Sequence, residues 1–162
     1  MEQLAVRKCL VVVRVRGVSD IQRDVKETMS MLRLQRNCNA TLVDDRPAYL
    51  GMLRKARNYL TWGEISKDTL TLLLTKRGRL ADNQKLTDEY AQKIGKKSLT
   101  ELADALVKGE IEFHGLPSIK PVFRLHPPSK GFKGKVKRSY ASSEGVSGYR
   151  GEAINRLLEK MI

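Results

Sequence analysis

Near the start of the chain, a short apolar run is followed by apolar residues at the spacing of one helical face. Residues 10–15 form a short apolar run, mostly β-branched and interrupted by Arg14, which ends at Arg16-Gly17 and predicts a strand. Ser19 and Gln22 have the spacing of a capping box, with Ser19 as the N-cap of a helix that fades by Asn37. The apolar face of this helix consists of Ile21, Val25, Met29 and Leu32.

The order of a strand followed by a helix then repeats, and a third strand comes after it. Residues 39–43 alternate into a second strand that ends at Asp44-Asp45. Pro47 occupies a first helical position, and the stripe after it consists of Leu50, Leu53, Ala56 and Leu60. Residues 61–65 predict a third strand, although Gly63 lies inside it, and Trp62 is interpreted as a core residue. The pattern over residues 10–65 is therefore β-α-β-α-β.

Residues 66–118 predict helices. Ser66 begins one helix, which Gly78 ends, and Thr87 precedes a short second helix. Ser98 and Glu101 form a capping box for a third helix. Residues 122–125 return as a strand, and a final amphipathic helix has the stripe Ile154, Leu157, Leu158 and Met161.

The net charge of the protein indicates which kinds of partner it would bind. The 162 residues include 31 Lys and Arg against 18 Asp and Glu, which gives a net charge of +13. Self-repulsion of this size favours an anionic partner, with nucleic acid ahead of an anionic membrane surface. The membrane alternative is weak because no apolar run approaches the ~18 to 20 residues that span a bilayer. The start of the chain does not resemble a signal peptide, so we expect a cytoplasmic protein.

The basic segment, residues 124–140, is the leading candidate for RNA contact. It contains six Lys and Arg side chains, no carboxylate, and interleaved aromatic residues. Its proline and glycine residues predict a flexible loop without a regular helix or central strand, and the alternative is a solvated, disordered loop. The candidate RNA-binding residues of this segment are Arg124, His126, Lys130, Lys133, Lys135, Lys137, Arg138 and Tyr140.

Further basic and aromatic residues extend the predicted surface. For each group alone, a solvated face is at least as good an interpretation as an RNA contact. Phosphate contacts would fix position, and aromatic rings would stack on unpaired bases. The further candidates are Arg54, Arg57, Lys76, Arg77, Arg79, Tyr149 and Arg150.

Catalytic and metal-binding patterns are missing from the sequence. There is no HExxH motif, paired CxxC or nucleophile elbow, so we expect no enzyme activity, no cofactor and no metal site. Cys9 and Cys38 lie in apolar runs and are expected to be buried, reduced thiols. The glycines of residues 145–151 lack the spacing of a phosphate loop and are interpreted as a flexible connector.

Four blocks of the sequence carry a family resemblance. They are TLVDDRPAYLGMLRKARNYLTWGEI at 41–65, TKRGRL at 75–80, KPVFRLHPPSKGFKGKVKRS at 120–139 and GYRGEAIN at 148–155. Their order and spacing resemble the archaeal branch of the L-thirty family of large-subunit ribosomal proteins, which is related to eukaryotic L-seven. The resemblance covers nearly the whole chain.

The resemblance implies an α+β fold. Its ferredoxin-like β-α-β-α-β core, residues 1–65, would have an antiparallel sheet of strand order 3-1-2. A helical appendage would occupy residues 66–118. Residues 119–162 would form the returning strand, the basic loop and a C-terminal helix packed on the core.

The resemblance also implies a structural role in the cytoplasmic large ribosomal subunit. Its implied partners are ribosomal RNA near the 5S region and neighbouring ribosomal proteins, with no membrane and no small-molecule substrate. Two other hypotheses are a DNA-coating architectural protein, which composition permits, and an RNA-processing enzyme. The missing acid-base set and metal site count against the enzyme.

Overall fold

The computed structural model describes residues 7–17, 19–142 and 144–162. Its first five elements follow the predicted order: β1 (Cys9–Arg14), α1 (Arg23–Met31), β2 (Asn39–Asp44), α2 (Pro47–Lys55) and β3 (Leu60–Glu64). β1 is the central strand and pairs antiparallel with both β2 and β3. The predicted strand order 3-1-2 of a ferredoxin-like core is therefore confirmed.

The remaining elements enlarge this core. They are α3 (Lys67–Arg77), α4 (Asp88–Lys93), α5 (Leu99–Val107), β4 (Phe123–Arg124), β5 (Lys135–Ser139), β6 (Gly145–Tyr149) and α6 (Ile154–Met161). The sheet has six strands in the order β4-β2-β1-β3-β6-β5. β4 pairs antiparallel with β2, whereas β6 lies parallel to β3 and β5 lies parallel to β6.

Alternation along the central strand divides the protein into two apolar clusters. Val11 and Val13 point into a cluster with residues of α3, α5 and α6, while Leu10 and Val12 point into a cluster with residues of α1 and α2. Successive strand residues face opposite sides of a sheet, which explains the division. The sheet is thus covered by helices on both faces.

Residues 66–118 share the larger of these clusters with the sheet. Leu70 and Leu102 are fully buried in it together with Val11 and Phe123. All four stripe residues predicted for α6 are also buried there. The division of the chain at residues 65 and 118 stays a prediction, and these contacts show that the parts pack together.

The predicted start of the first helix is wrong. α1 begins at Arg23, and Gln22 is its N-cap without a side-chain hydrogen bond. Asp20 has a φ of 54°, which takes the chain out of the helical path between Ser19 and the helix. Ser19 is therefore not the N-cap, although Val25 and Met29 of the predicted stripe are buried.

The other predicted helix starts are confirmed. Ser66 and Ser98 are the N-caps of α3 and α5, and their hydroxyl oxygens accept hydrogen bonds from the amides of Thr69 and Glu101. Pro47 is the first residue of α2. An oxygen at the N-cap satisfies one of the amides that have no partner within the helix, which explains both serines.

The two cysteines are free thiols, as predicted. Cys38 is buried and Cys9 is half-buried. Burial, reinforced by the charge of Asp44, raises the pKa of the Cys9 thiol to about 12. Because the thiolate is the reactive form, Cys9 is a poor nucleophile at neutral pH.

Candidate nucleic-acid interface

The basic segment runs from one edge of the sheet to the other. It begins in β4 at one edge and ends after β5 at the opposite edge. Between these strands it passes the C-terminal end of α6. There the amides of His126 and Ser129 donate hydrogen bonds to the carbonyls of Met161 and Lys160, each at 3.0 Å. The segment thus satisfies carbonyls that the helix itself leaves without partners.

The prediction that the basic segment is a loop is wrong for residues 135–139, whereas the prediction that it forms no regular helix or central strand agrees with the structure. These residues form the edge strand β5, in which Lys135 and Lys137 are exposed and Val136 is half-buried against the larger cluster. The prolines and the glycines of the segment all precede this strand, so they do not interrupt it. Alternation in Lys-Val-Lys was the sequence signal for the strand.

The predicted flexible connector at residues 145–151 is also wrong. Residues 145–149 form β6, where Val146 and Ser147 are each 3% exposed. A side chain on Gly145 would collide with the backbone of Ser139, and Gly148 has a φ of 92°. These glycines therefore permit close strand contact and an unusual backbone conformation, and they do not confer flexibility.

All six cations of the basic segment are exposed to solvent. Two of them have a carboxylate neighbour from outside the segment, because Glu144 lies 3.6 Å from Lys135 and 3.2 Å from Arg138. Exposed pairs of this kind contribute little to stability, so both cations remain available to a polyanion. Among the described residues, no carboxylate pairs with the other four, which are Arg124, Lys130, Lys133 and Lys137.

Arg150 has an internal structural role. Its Nε donates to Thr61 Oγ1 at 2.8 Å and its Nη2 donates to the Val146 carbonyl at 2.6 Å. The guanidinium also lies 4.7 Å from the centre of the Tyr140 ring. Burial lowers the pKa of Arg150, although the nearby Tyr140 opposes that effect. Arg150 thus joins β3, β6 and the end of the basic segment, and Tyr140 retains 40% exposure.

The end of α3 and the first part of the basic segment both contact the C-terminal end of α6. Arg77 donates through Nε and Nη2 to the carbonyl of Ile162, at 3.1 and 2.7 Å. His126 binds the preceding carbonyl, that of Met161. The fold therefore brings Arg77 and His126 together at the C-terminal end of α6, and Lys76 is exposed in the last turn of α3. Arg79 binds the carbonyl of Gly78 at 2.9 Å and is half-buried.

Three other candidates lie on the opposite face of the sheet. Arg54 and Arg57 are exposed at and after the end of α2. Arg54 and Tyr149 line one open cleft of about 360 Å³ together with Trp62. The Tyr149 hydroxyl donates to both oxygens of Glu64, at 2.7 and 2.8 Å, which raises the pKa of Tyr149. Its ring is 53% exposed and remains free to stack.

Arg156 and Lys160 are two exposed cations that the sequence predictions missed. They lie on the outer face of α6, opposite its buried stripe. The spacing of the stripe contained the signal, since residues four apart share one face of a helix. Both cations line a cleft beside the basic segment.

Other classes of site find no support in the described part of the chain. No group of three or more His, Cys, Asp or Glu side chains there is placed to hold a metal ion. Among the helices of these same residues, none is long and apolar enough to cross a membrane.

Comparison with known proteins identifies the family. Residues 10–60 match the family model described as ribosomal protein L30p/L7e. The chain is 50% identical over 151 residues to the large ribosomal subunit protein uL30 of Archaeoglobus fulgidus, covering 93% of this chain and 97% of that protein. It is 47% identical to the uL30 of Methanopyrus kandleri, covering 91% and 100%, and 46% identical to that of Ignicoccus hospitalis, covering 96% and 99%.

The similarity to these relatives extends over nearly the whole of each protein. The six-stranded sheet and the helices around it agree with the fold that the resemblance implied. Members of this family are structural components of the ribosome and are not enzymes. The chain belongs to the ribosomal protein L30p/L7e family, and its similar relatives are archaeal uL30 proteins.

Proposed function

We propose that this protein binds and stabilises ribosomal RNA as a structural constituent of the large ribosomal subunit in the cytoplasm. The observation that carries the proposal is the basic segment itself. It presents six exposed cations along a path that crosses one end of the molecule. Four of them have no carboxylate partner among the described residues. Such a surface has the charge and the spacing to contact several phosphates at once.

The attachment of the segment supports a structural role. Hydrogen bonds from His126 and Ser129 hold its first part on α6, and β5 holds its end on the sheet. The two ends of the segment are therefore held by contacts within the protein itself. A preorganised surface loses less conformational entropy on binding than a disordered one does.

The exposed cations at the end of α3 and on α6 widen this surface. Arg156 and Lys160 are exposed and line a cleft beside the segment, and Lys76 is exposed in the last turn of α3, next to Arg77. Contacts with phosphates over such a width would fix the position of the protein on folded RNA without reading its sequence. We propose that the bound RNA lies near the 5S RNA region and that neighbouring ribosomal proteins cover other parts of the surface.

Sedimentation of a cell extract tests the proposal. We expect the protein to migrate with large subunits and to remain with them after a wash in moderate salt. In filter binding, the purified protein should prefer large-subunit ribosomal RNA to duplex DNA of the same length. Equal affinity for the DNA, together with failure to sediment with large subunits, would favour an architectural DNA-binding protein instead.

A further inference from the structure

An open cleft of about 200 Å³ lies between the basic segment, β6 and α6. Its floor is apolar and includes Phe132, Val146 and Leu157. Pockets for drug-sized ligands occupy about 300–1,000 Å³, so this cleft suits a smaller group.

The rim of the cleft is basic. Lys133, Arg156 and Lys160 are exposed, and none of them pairs with a carboxylate among the described residues. Arg150 lies deeper, beside the ring of Tyr140. None of the described residues that line the cleft is acidic. A cleft lined by positive charges without negative ones raises the local concentration of anions.

An apolar floor below a cationic rim matches the chemistry of a nucleotide. A base has two flat faces that stack on apolar and aromatic side chains, while the phosphate attached to its sugar attracts a nearby cation. A duplex hides its bases, so only an unpaired nucleotide presents both features at once. An acidic peptide would match the rim but would leave the floor uncovered.

We propose that this cleft holds one unpaired nucleotide of the bound RNA. The base lies on the floor formed by Phe132 and Leu157, and the phosphate lies between Lys133 and Arg156. The inference rests on the proposed RNA-binding function and adds a defined site to it. It also predicts that the protein selects RNA with an unpaired residue at one point of an otherwise phosphate-directed contact.

Amide chemical shifts measured by NMR test the cleft with small probes. Adenosine 5′-monophosphate should shift the amides of residues 131–133, 145–146 and 153–157. Ribose 5-phosphate and inorganic phosphate, which lack the base, should cause shifts at least about fivefold smaller at equal concentration. Equal shifts from all three probes, or shifts spread over every basic surface, would overturn the inference.

Short RNA distinguishes an RNA nucleotide from a free one. A single-stranded hexanucleotide should bind the same amides more tightly than the mononucleotide, and a duplex of equal length should leave them unshifted. Tighter binding of the mononucleotide would identify a free nucleotide as the occupant and contradict the inference.

A variant that fills the cleft tests the floor separately from charge. Ala153 lines the cleft, so Ala153→Leu should weaken hexanucleotide binding about fivefold or more by blocking base contact. Ala48→Leu, at an exposed position on α2, is the matched control and should leave affinity unchanged. If Ala153→Leu lowers the melting temperature, Phe132→Ala gives a second test with the same expected loss, because it removes part of the floor without changing the charge.

Failure of the inference and failure of the proposed function give different results. Ribosomal RNA binding that persists in filter assays while no probe shifts the cleft amides would remove the nucleotide site alone. Loss of specific binding to ribosomal RNA in the unmodified protein would remove the function.

Discussion

Some arginine side chains of this protein are bonded within the fold, whereas others, such as Arg124 and Arg138, are exposed to solvent. Arg14 is 2% exposed, and its Nη1 donates to the carbonyls of Leu34 and Gln35, both at 2.8 Å. Arg150 is bound in the same way to β3 and β6. These side chains cross-link the fold and are unavailable to phosphates. Net charge alone therefore overstates the number of cations that face RNA.

The carboxylate of Asp44 lies between two arginine side chains, so its contribution to stability depends on pH. Asp44 Oδ2 lies 2.6 Å from Arg46 Nε and 3.3 Å from Arg7 Nη1. Burial tends to raise the pKa of Asp44, but the hydrogen bonds and charges of Arg46 and Arg7 outweigh it and hold the pKa below its ordinary value. The folded state therefore favours the ionised form.

Asp44→Asn should lower the free energy of unfolding at pH 7 by about 1–2 kcal/mol. A folded-state pKa below the unfolded value stabilises the fold at higher pH, and this stabilisation is lost as the pH falls below about 4. Urea unfolding at several pH values should show the difference between the two proteins narrowing over that range. A difference that stays constant from neutral pH to well below pH ~4 would contradict the assignment.

At the element scale, the contact between β3 and the turn before α6 explains a glycine that weakened the strand prediction. A side chain on Gly63 would collide with the backbone carbonyl of Gly151. Backbone approach of this kind requires a residue without a Cβ atom. The absence of a side chain at Gly63 thus allows the chain between β6 and α6 to pack against β3.

Two alanine substitutions test this contact. Gly63→Ala should destabilise the protein by about 1–3 kcal/mol because the backbone must shift. Gly51→Ala on α2 is the control, since Gly51 is exposed and nothing lies within 4 Å of where its added methyl group would sit. It should be neutral or stabilise by about 0.5–1 kcal/mol. Thermal unfolding that gives both variants the same midpoint would show that the close contact is wrong.

Hydrogen exchange of backbone amides tests how stably α6, β6 and residues 130–134 are held in the folded protein. Amides of residues 154–161 should be protected in the free protein because α6 buries four apolar side chains. Amides of residues 146–148 should also be protected, since they lie in a buried strand. Residues 130–134, which are exposed or half-buried, should exchange quickly and slow when ribosomal RNA is added. Rapid exchange throughout residues 145–149 would restore the flexible connector that the sequence predicted.

The sequence predicted most elements but not the arrangement after residue 125. Apolar periodicity located the buried faces of α3, α5 and α6 because these faces repeat at helical spacing. β5 and β6 were missed because their glycines and lysines have low strand propensity. Their pairing depends on contacts such as Arg150 with Thr61, which lie far apart in the chain. The candidate residues were likewise found by charge, and charge alone does not separate Arg150 from Lys133.

On the scale of the whole molecule, the six cations of the basic segment follow the chain from β4 past the end of α6 to β5. Arg156 and Lys160 of α6 line a cleft beside this segment. Arg54 and Arg57 belong to the other face of the sheet. We therefore expect substitutions in the basic segment to weaken RNA binding more than the same number of substitutions on α2.

The salt dependence of binding to large-subunit ribosomal RNA measures how many phosphates the basic segment and its neighbours neutralise. If about six phosphates are neutralised, log K should fall against log salt with a slope of roughly −4 to −5. The triple variant Lys130→Ala/Lys133→Ala/Lys137→Ala should reduce the steepness by about 2 to 3. The matched control Lys26→Ala/Lys93→Ala/Lys97→Ala, at exposed positions outside the basic segment, should keep the original slope. A slope near zero in the unmodified protein, or equal losses in both variants, would contradict the account.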